Sequence, residues 1–293
     1  MTLIETVQAQ SARLAQAGVS FGHGTTNAFD EAAWLVQWAL GLPLDALDAE
    51  AERPVSANER MAVEALIGRR IRSRVPAAYL TQEAWLQGVP FYVDERAIVP
   101  RSFIAELIVD GTLDAWLPRR AKRALDLCTG NGSLAVLAAL NWPGLQIDAS
   151  DLSEDALAVA RINVDRHSLA ERIALRRSDG LRDVDGPYDL LLCNPPYVNS
   201  ASMAALPPEY RAEPALALAG GADGMDFVRT LLRDVPDHMT EGAALVLEIG
   251  NERRHFERAF PRLEAAWLET SAGGDSVLLA TREALLAGGR GRP

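Results

Sequence analysis

The stretch ALDLCTGNGSLA, residues 124–135, decides how the rest of the chain is interpreted. Residues 124–127 have the composition of a buried strand, and two glycines follow as a turn that leads into an apolar run over 133–141. Glycine lets a backbone approach a ligand closely, and the N-terminus of a helix favours an anionic group. The stretch therefore predicts a strand, a ligand-binding turn and a helix, which together form the first unit of an open α/β sheet.

Strand and helix patterns alternate through the second half of the chain. Strands are predicted at 124–127, 145–149, 173–176, 188–193 and 243–249, and helices near 102 and at 133–141, 154–167 and 225–239. Such alternation predicts a parallel sheet with helices on both faces. The segments 265–270 and 276–281 flank Gly273 and Gly274 and predict a closing antiparallel pair.

The first 76 residues have a different character. Apolar residues at three-to-four spacing in 32–40 and 61–71 predict helices, and no strand pattern is convincing there. Residues 77–100 place aromatic side chains around Gly88 and Pro90, which predicts a β-hairpin linker. We therefore expect a helical substrate-recognition domain over 1–76, the linker over 77–100, the sheet domain over 101–285 and a flexible tail over 286–293.

Length, composition and charge limit the class of protein. With 293 residues and 48% hydrophobic content, the chain can bury a large core. We find no export signal and no apolar run long enough to span a membrane, so we expect a soluble cytoplasmic protein. The two cysteines, Cys128 and Cys193, are too far apart for a zinc motif, and we expect no metal site. The net charge of −11 argues against a broad nucleic-acid-binding surface and is compatible with a basic protein partner.

A second informative stretch is LLLCNPPY, residues 190–197, in which an apolar strand opens into a rigid loop. Proline has no N–H and disfavours the helical region for the residue before it, so Asn194 and Pro195 are held extended. The loop offers two acceptors, the Asn194 side-chain carbonyl and the Pro195 backbone carbonyl, beside the ring of Tyr197. This arrangement suits a planar –NH2 group whose lone pair faces an electrophile. We predict that Asn194, Pro195, Pro196 and Tyr197 are catalytic.

The ligand of the glycine turn is ambiguous from spacing alone. Asp151 ends the next predicted strand roughly 20 residues beyond the glycines, where a carboxylate can accept from both ribose hydroxyls. The GxGxxA pattern at 130–135 also matches the dinucleotide fingerprint, so a nicotinamide or flavin oxidoreductase is an alternative. Asp126 inside the first strand's end, Asp179 after the third strand and the amide-binding loop together favour S-adenosylmethionine.

Several motifs together resemble one enzyme family. The DLCTGNG turn at 126–132, the acid step DLS at 151–153 and the NPPY loop resemble the class I glutamine-N5 methyltransferases, which act on release factors or on a ribosomal protein. The segments AAYLT at 77–81, FYVDER at 91–96, VPRS at 99–102 and FGHGT at 21–25 resemble the ribosomal branch. The release-factor branch usually has Pro-Arg-Pro-Glu-Thr where this chain has PRSFI at 100–104. The resemblance covers nearly the whole chain apart from the tail.

The resemblance implies both a fold and a reaction. The fold is a class I, Rossmann-like methyltransferase sheet with an antiparallel closing strand, a helical N-terminal domain and a hairpin linker. The reaction moves a methyl group from S-adenosylmethionine, leaving S-adenosylhomocysteine, to a glutamine of large-subunit ribosomal protein L-three, free or within a ribosome assembly intermediate. Release factors remain an alternative substrate. Adenine in DNA is another alternative, because its amino group suits the same two hydrogen-bond acceptors. The acidic net charge and the lack of a basic target-recognition domain count against DNA.

The resemblance and the motifs together give a set of candidate residues. The predicted cofactor-binding residues are Asp126, Cys128, Thr129, Gly130, Gly132, Asp151, Leu152, Ser178, Asp179, Gly180 and Asn194. Arg101 and Glu248 are predicted at the substrate rim, and GGADG at 220–224 is either a simple turn or part of the substrate entrance. No catalytic base is expected, because the methylated nitrogen can lose its proton to water. We therefore interpret His23, His167, His238 and His255 as surface or packing residues. The basic run at 69–74 is expected on a solvated helix face, with ribosomal RNA or an acidic partner as the alternative.

Overall fold

The computed structural model describes residues 1–289, of which the first part is helical. Its helices are α1 (Leu3–Gln16), α2 (Ala28–Ala39), α3 (Leu47–Glu50) and α4 (Ala57–Ser73). Helices α1 and α4 begin at capping boxes. The side chains of Thr2 and Ser56 accept from the backbone N–H three residues on, and the glutamate at that position accepts from the backbone N–H of Thr2 or Ser56. The apolar faces of these helices pack around Leu35 and Ile67, which are fully buried. The predicted N-terminal helices are therefore present.

A short hairpin links this region to the sheet. It consists of β1 (Ala84–Leu86) and β2 (Val89–Phe91), which pair antiparallel. The hairpin is shorter than the predicted 77–100, because residues 77–81 form helix α5 (Ala77–Thr81) and residues 92–100 form no strand. All five residues of this helix are buried. A hairpin with one solvated face would expose alternate residues, so it could not bury all five. Tyr79 fixes this helix by donating its hydroxyl to the Ala97 carbonyl at 2.7 Å.

Residues 123–281 contain the strands of a seven-stranded sheet in the order β5-β4-β3-β6-β7-β9-β8. The strands are β3 (Arg123–Leu127), β4 (Gln146–Asp151), β5 (Ile173–Arg177), β6 (Tyr188–Cys193), β7 (Met239–Glu248), β8 (Ala266–Thr270) and β9 (Gly273–Thr281). Strands β3 to β7 are parallel, whereas β9 pairs antiparallel with both β7 and β8. The expected parallel sheet with an antiparallel closing pair is confirmed.

Helices cover both faces of the sheet and bury two apolar layers. The covering helices are α6 (Ile104–Val109), α7 (Ser133–Asn141), α8 (Glu154–Arg166), α10 (Asp226–Asp234), α11 (Arg253–Ala259) and α12 (Arg282–Gly289), while α9 (Ser200–Ala205) has no buried residue. Helices α6 to α8 supply one layer, and α10 to α12 supply the other. None of the helices within residues 1–289 has both the length and the apolar composition that a membrane crossing requires.

Two predicted boundaries near the end of the chain were wrong. The helix predicted over 225–239 ends at Asp234, because Pro236 lacks an N–H to continue it, and Met239 already begins β7. The flexible tail predicted over 286–293 does not hold for residues 286–289, which belong to α12. Thr281 caps this helix by accepting from the Ala284 N–H, and Leu285 is buried against the sheet. Residues 290–293 lie outside the described part of the chain.

The strand order brings the two informative stretches together. Strand β3 lies between β4 and β6, so the winding of the sheet reverses at the β3–β6 pair. Leu127 at the end of β3 is the register partner of Cys193 at the end of β6. Open α/β sheets bind ligands outside the carboxyl ends of the strands at such a switch point. The fold therefore predicts that the site lies where the glycine turn meets the NPPY loop.

Candidate active site

The glycine turn after β3 has a backbone that few residues can adopt. Cys128, Gly130 and Gly132 have φ values of 61°, 56° and 82°, in the left-handed region. A Cβ at Gly132 would lie 3.1 Å from the Cβ of Ala160, so this glycine allows α7 and α8 to pack closely. A Cβ at Gly130 would meet no atom within 4 Å, because Gly130 faces a cavity. One glycine therefore serves packing, and the other opens the backbone to a ligand.

Asp126 stabilises this turn by accepting hydrogen bonds from it. Its Oδ2 accepts from the Thr129 hydroxyl at 2.5 Å and from the Ala135 N–H at 3.0 Å. Burial raises the pKa of Asp126 to about 7. Its Oδ1 is buried and has no hydrogen-bond partner among residues 1–289. Asp126, Thr129 and Gly132 are absent from the cavity wall, so these three predicted residues shape the turn rather than line the cavity.

The cavity beside the turn lies at the carboxyl ends of β3, β4, β5 and β6, and we call it the cofactor cavity. The predicted residues that line it are Cys128, Gly130, Asp151, Leu152, Ser178, Asp179, Gly180 and Asn194. Asp151 bridges the turns after two strands, since Oδ2 accepts from the Gly130 N–H and Oδ1 from the Ser153 N–H, both at 2.9 Å. Burial raises the pKa of Asp151, although these backbone donors act in the opposite direction.

The residues around the cofactor cavity fit an adenosine nucleoside. Each Asp151 oxygen keeps a lone pair for a ribose hydroxyl. Phe227 and Leu152 line the wall and offer apolar surface to an adenine ring. The buried Ser150 hydroxyl also lines it and has no partner among residues 1–289. Asp179, predicted to contact the adenine amino group, lies in the wall and is paired with Arg182 at 2.5 Å.

The NPPY loop lies between the cofactor cavity and a larger cleft. This substrate cleft has a volume of about 700 Å³, within the range of ligand-binding pockets. Pro196 lines the cofactor cavity, whereas Pro195 and Tyr197 line the cleft. Asn194 lines both. The loop therefore presents one face to a cofactor and the other to a substrate, with Asn194 at the junction.

Three glycines hold Tyr197 in place. A Cβ at Gly220 would lie 2.7 Å from the Tyr197 Cα, and one at Gly250 would lie 2.6 Å from the Tyr197 ring. A Cβ at Gly224 would overlap the Tyr197 carbonyl oxygen. The GGADG segment is therefore more than a simple turn, because it packs directly on the backbone of the NPPY loop. Neither interpretation of this segment from its sequence predicts this contact.

The two residues predicted at the substrate rim lie in the cleft wall with partners of their own. Glu248 is buried, and its Oε2 accepts from the Ser102 hydroxyl at 2.6 Å and from the Phe103 N–H at 2.9 Å. Its Oε1 accepts a long bond of 3.4 Å from the Tyr197 hydroxyl. Burial raises the pKa of Glu248 to about 6. Arg101 forms a two-pronged ion pair at 2.6 and 2.8 Å with Glu213, which sequence analysis missed.

Residues 206–218, which we call the strap, lie across both spaces. Leu206, Tyr210 and Leu218 line the substrate cleft, while Pro214 and Leu216 line the cofactor cavity. The strap has no sequence motif that could have identified it beforehand.

Two buried acids of the strap, Glu209 and Glu213, contact residues from the first 101 positions of the chain. Glu213 accepts from the Val99 N–H at 3.0 Å and lies 3.4 Å from His23 Nε2. Although burial opposes it, the charge of Arg101 and the contact with His23 lower the pKa of Glu213 to about 2. Glu209, also buried, pairs with Arg70 at 3.2 Å and with Arg74 at 2.6 Å.

The basic run at 69–74 differs from its expected role. Arg70 is fully buried and also pairs with Glu31 at 2.8 Å, so it is a structural residue rather than a solvated one. Arg69 and Arg72 are exposed, as expected. The difference arises because a helix face at the domain boundary can meet acids from a distant loop. The four histidines lie outside the walls of both spaces, and His23 packs against Tyr210 with ring centroids 4.3 Å apart.

Comparisons with known proteins identify the family. Residues 109–206 match the family model described as "Methyltransferase small domain", and residues 5–81 match "PrmC N-terminal domain". A ribosomal protein uL3 glutamine methyltransferase from Bordetella pertussis is 53% identical, over 97% of this chain and 96% of the relative. Its counterpart from Burkholderia pseudomallei is 51% identical, over 95% of this chain and 94% of the relative.

The chain belongs to the protein-glutamine methyltransferase family. The expected class I methyltransferase fold is also found in the catalytic domain of human METTL16, which has a TM-score of 0.52 and 13% identity, and the match covers 78% of this chain and 82% of that one. At that identity the likeness concerns the fold alone. The expected enzyme class is confirmed, and the oxidoreductase alternative was wrong, because the glycine pattern at 130–135 is shared by two kinds of nucleotide site.

Proposed function

We propose that this methyltransferase transfers a methyl group from S-adenosylmethionine to the side-chain amide nitrogen of a glutamine in ribosomal protein uL3, the L-three protein of the large subunit. The names of the relatives support the substrate. The position of Asn194 in the walls of both the cofactor cavity and the substrate cleft supports the reaction. A methyl donor and a methyl acceptor can meet at a residue that the two spaces share.

The proposed chemistry relies on holding a poor nucleophile in place. The lone pair of a carboxamide nitrogen is delocalised into its carbonyl, as in the planar peptide bond. When bound, S-adenosylmethionine supplies an electrophilic methyl group on a sulfonium. The Asn194 side-chain carbonyl and the Pro195 backbone carbonyl accept the two amide hydrogens and align the nitrogen for in-line attack.

These acceptors bind the transition state more tightly than the ground state. The amide hydrogens become more acidic as the nitrogen forms its bond to carbon and gains positive charge, so both hydrogen bonds strengthen. The bound donor would keep the carbon–sulfur electron pair on its sulfur, and one amide proton would pass to water afterwards. Tyr197, held by its glycine neighbours, packs on the plane of the amide.

We assign two further roles within the proposed reaction. Asp151 binds the ribose hydroxyls, and Phe227 packs on the adenine. The substrate enters through the cleft, whose wall includes Arg101, Glu248 and the strap. As part of the same proposal, we expect the enzyme to act in the cytoplasm, where ribosomal proteins are made.

Labelling of an unmethylated extract tests the proposal. Extract from cells that lack this enzyme is incubated with the enzyme and with S-adenosylmethionine that carries a labelled methyl group. Label in one ribosomal protein, mapped by mass spectrometry to one glutamine of uL3, is the expected result. Label in release factors would overturn the substrate branch, and label in DNA would overturn the class of acceptor. Parallel reactions with purified uL3 and with ribosomal particles distinguish a free substrate from an assembling one.

A further inference from the structure

The N-terminal domain has a hollow that the proposed reaction does not use. This N-terminal hollow has a volume of about 280 Å³ and lies against α2, with Ala33, Trp34 and Gln37 in its wall. Gly24 and Trp85 line both the hollow and the substrate cleft. The two spaces are therefore neighbours on one surface, with Trp85 of the hairpin between them.

Two side chains that line this hollow each have a buried polar atom without a partner. Gln37 is 2% exposed and Trp34 is 8% exposed. The Gln37 Nε2 donates to the carbonyls of Ala33 and Leu44, both at 3.1 Å, which fixes the orientation of the amide. Its Oε1 and the Trp34 Nε1–H have no hydrogen-bond partner among residues 1–289. An unpaired buried polar group is costly and uncommon in native proteins, so the pair points to a ligand.

The chemistry of the pair indicates what that ligand is. Trp34 and Gln37 are three residues apart on one helix, so their side chains are neighbours on one face. Together they offer one N–H donor and one carbonyl acceptor, which complement the C=O and N–H of a peptide backbone. The indole N–H of Trp85 is already bonded to Glu83 at 2.7 Å, so Trp85 offers its ring surface. The charged lining residue is Asp30, which suits a basic neighbour in the ligand.

We propose that the N-terminal hollow is a subsite for the extended segment that flanks the target glutamine in the substrate protein. The Trp34 Nε1–H donates to a backbone carbonyl of that segment, and the Gln37 Oε1 accepts from a backbone N–H. Trp85 separates this subsite from the cleft that receives the glutamine. The proposal rests on the proposed function, and it explains how one glutamine is selected among many. Recognition of the backbone fixes the position of the segment, while Asp30 favours a basic residue.

The test compares a long substrate with a short one. Trp34→Phe removes the donor and keeps an aromatic ring, and Trp38→Phe is the matched control, because Trp38 lies on the same helix, is 41% exposed and lines neither space. The probes are purified unmethylated uL3 and a synthetic peptide that carries the target glutamine with a single neighbour on each side. We expect Trp34→Phe to raise the KM for uL3 by about 3- to 10-fold, as for one lost hydrogen bond. Its kcat, its cofactor Kd and its KM for the peptide stay unchanged, and the control matches wild type.

A second variant and a binding measurement test the subsite independently of Trp34→Phe kinetics. Asp30→Arg places a long cation over the hollow at an exposed position, and it should raise the KM for uL3 while sparing the peptide. An unchanged KM for uL3 in both variants, or an equal rise for uL3 and peptide, would overturn the subsite. Affinity for fluorescently labelled uL3, measured without cofactor, should fall in Trp34→Phe, and an unaltered affinity would also overturn it. Absence of uL3 methylation by the wild-type enzyme would instead overturn the proposed function, while the binding assay still tests the subsite.

Discussion

The cofactor cavity and the substrate cleft meet at Asn194 but are built in different ways. The predicted residues of the cofactor cavity come from turns that directly follow adjacent parallel strands, at 128–130, 151–152, 178–180 and 194. The cleft is assembled from segments far apart in sequence, at 22–26, 85–87, 98–106, 194–218, 248–251 and 272–276. The predicted cofactor residues are therefore encoded locally, at the ends of strands, whereas the cleft depends on tertiary contacts between distant segments.

The buried acids of the glycine turn and Glu213 of the strap have pKa shifts of opposite direction. In the cofactor region Asp126 and Asp151 accept hydrogen bonds from backbone N–H groups and a hydroxyl, and burial raises the pKa of both. At the strap Glu213 meets a bidentate arginine, and its pKa falls to about 2. A substitution in the first region should therefore act on the ligand, and one in the second on the assembly of the cleft.

The largest expected effect is that of Asn194→Ala, at the junction of the two regions. The variant loses the acceptor whose hydrogen bond strengthens in the transition state, so we expect kcat to fall by roughly 10²- to 10³-fold. The cofactor Kd should stay within a few-fold of wild type. Single-turnover methylation gives the first quantity, and calorimetry with S-adenosylmethionine gives the second. Retention of most activity would contradict the amide-clamp mechanism.

Glu213→Gln tests the strap. The variant leaves the Arg101 guanidinium and His23 beside a neutral group, and loss of one partner from a buried ion pair should cost about 3 kcal/mol in the free energy of unfolding. The pKa of Glu213 in the folded state lies below its usual value of 4.5, so this stability is present above pH 4.5 and is lost as the pH falls from 4.5 towards 2.

Denaturant unfolding across this pH range checks the Glu213 prediction. The difference between wild type and Glu213→Gln should be full at pH 7 and should shrink below pH 4.5. Glu264→Gln, at a surface position outside both walls, is the matched control and should show no such trend. A difference that is independent of pH would mean that the ion pair does not stabilise the strap.

Asp151→Ala should affect the cofactor region selectively. Loss of charge-assisted hydrogen bonds predicts a weakening of cofactor binding by roughly 1–3 kcal/mol, measured by calorimetry. The KM for uL3 should change little at saturating cofactor, since Asp151 is not in the cleft wall. Asp155→Ala, an exposed acid in the helix that follows, controls for the change in net charge. An equal loss in both variants would mean that charge alone, and not the position of Asp151, matters.

The difference between the two regions also explains how much could be predicted from the sequence. Asp151 was recognisable because a strand end, a glycine turn and an acid at a fixed spacing recur in doubly wound nucleotide-binding sheets. The NPPY loop was recognisable because two prolines follow an apolar strand. Even at the glycine turn, the roles of Asp126 and Thr129 depend on hydrogen bonds inside the turn, which spacing does not encode. Phe227 was missed because it lies on α10, far from the turns in sequence, and reaches the cavity only through packing.

The strap was unpredictable for a further reason. Glu209 and Glu213 look like ordinary acids of a polar loop, and Arg70 looks like one of several solvated arginines. Their pairing depends on bringing together segments more than a hundred residues apart. A buried ion pair needs its partner in place to overcome desolvation, so neither half shows its role alone.

Tyr197→Phe should have the smallest effect, and it distinguishes packing from hydrogen bonding at the point where the two regions meet. The phenylalanine ring keeps its contacts with Gly250, while the variant loses only the 3.4 Å bond to Glu248. A bond this long contributes little, so we expect kcat and the KM for uL3 to stay within about threefold of wild type. Tyr197→Ala removes the ring as well and should lose considerably more turnover, in the same steady-state assay. A loss of kcat above tenfold in Tyr197→Phe would mean that the hydroxyl takes a direct part in binding the amide. The Glu248 carboxyl, which accepts from this hydroxyl, would then help to bind the amide and would not only form part of the cleft wall.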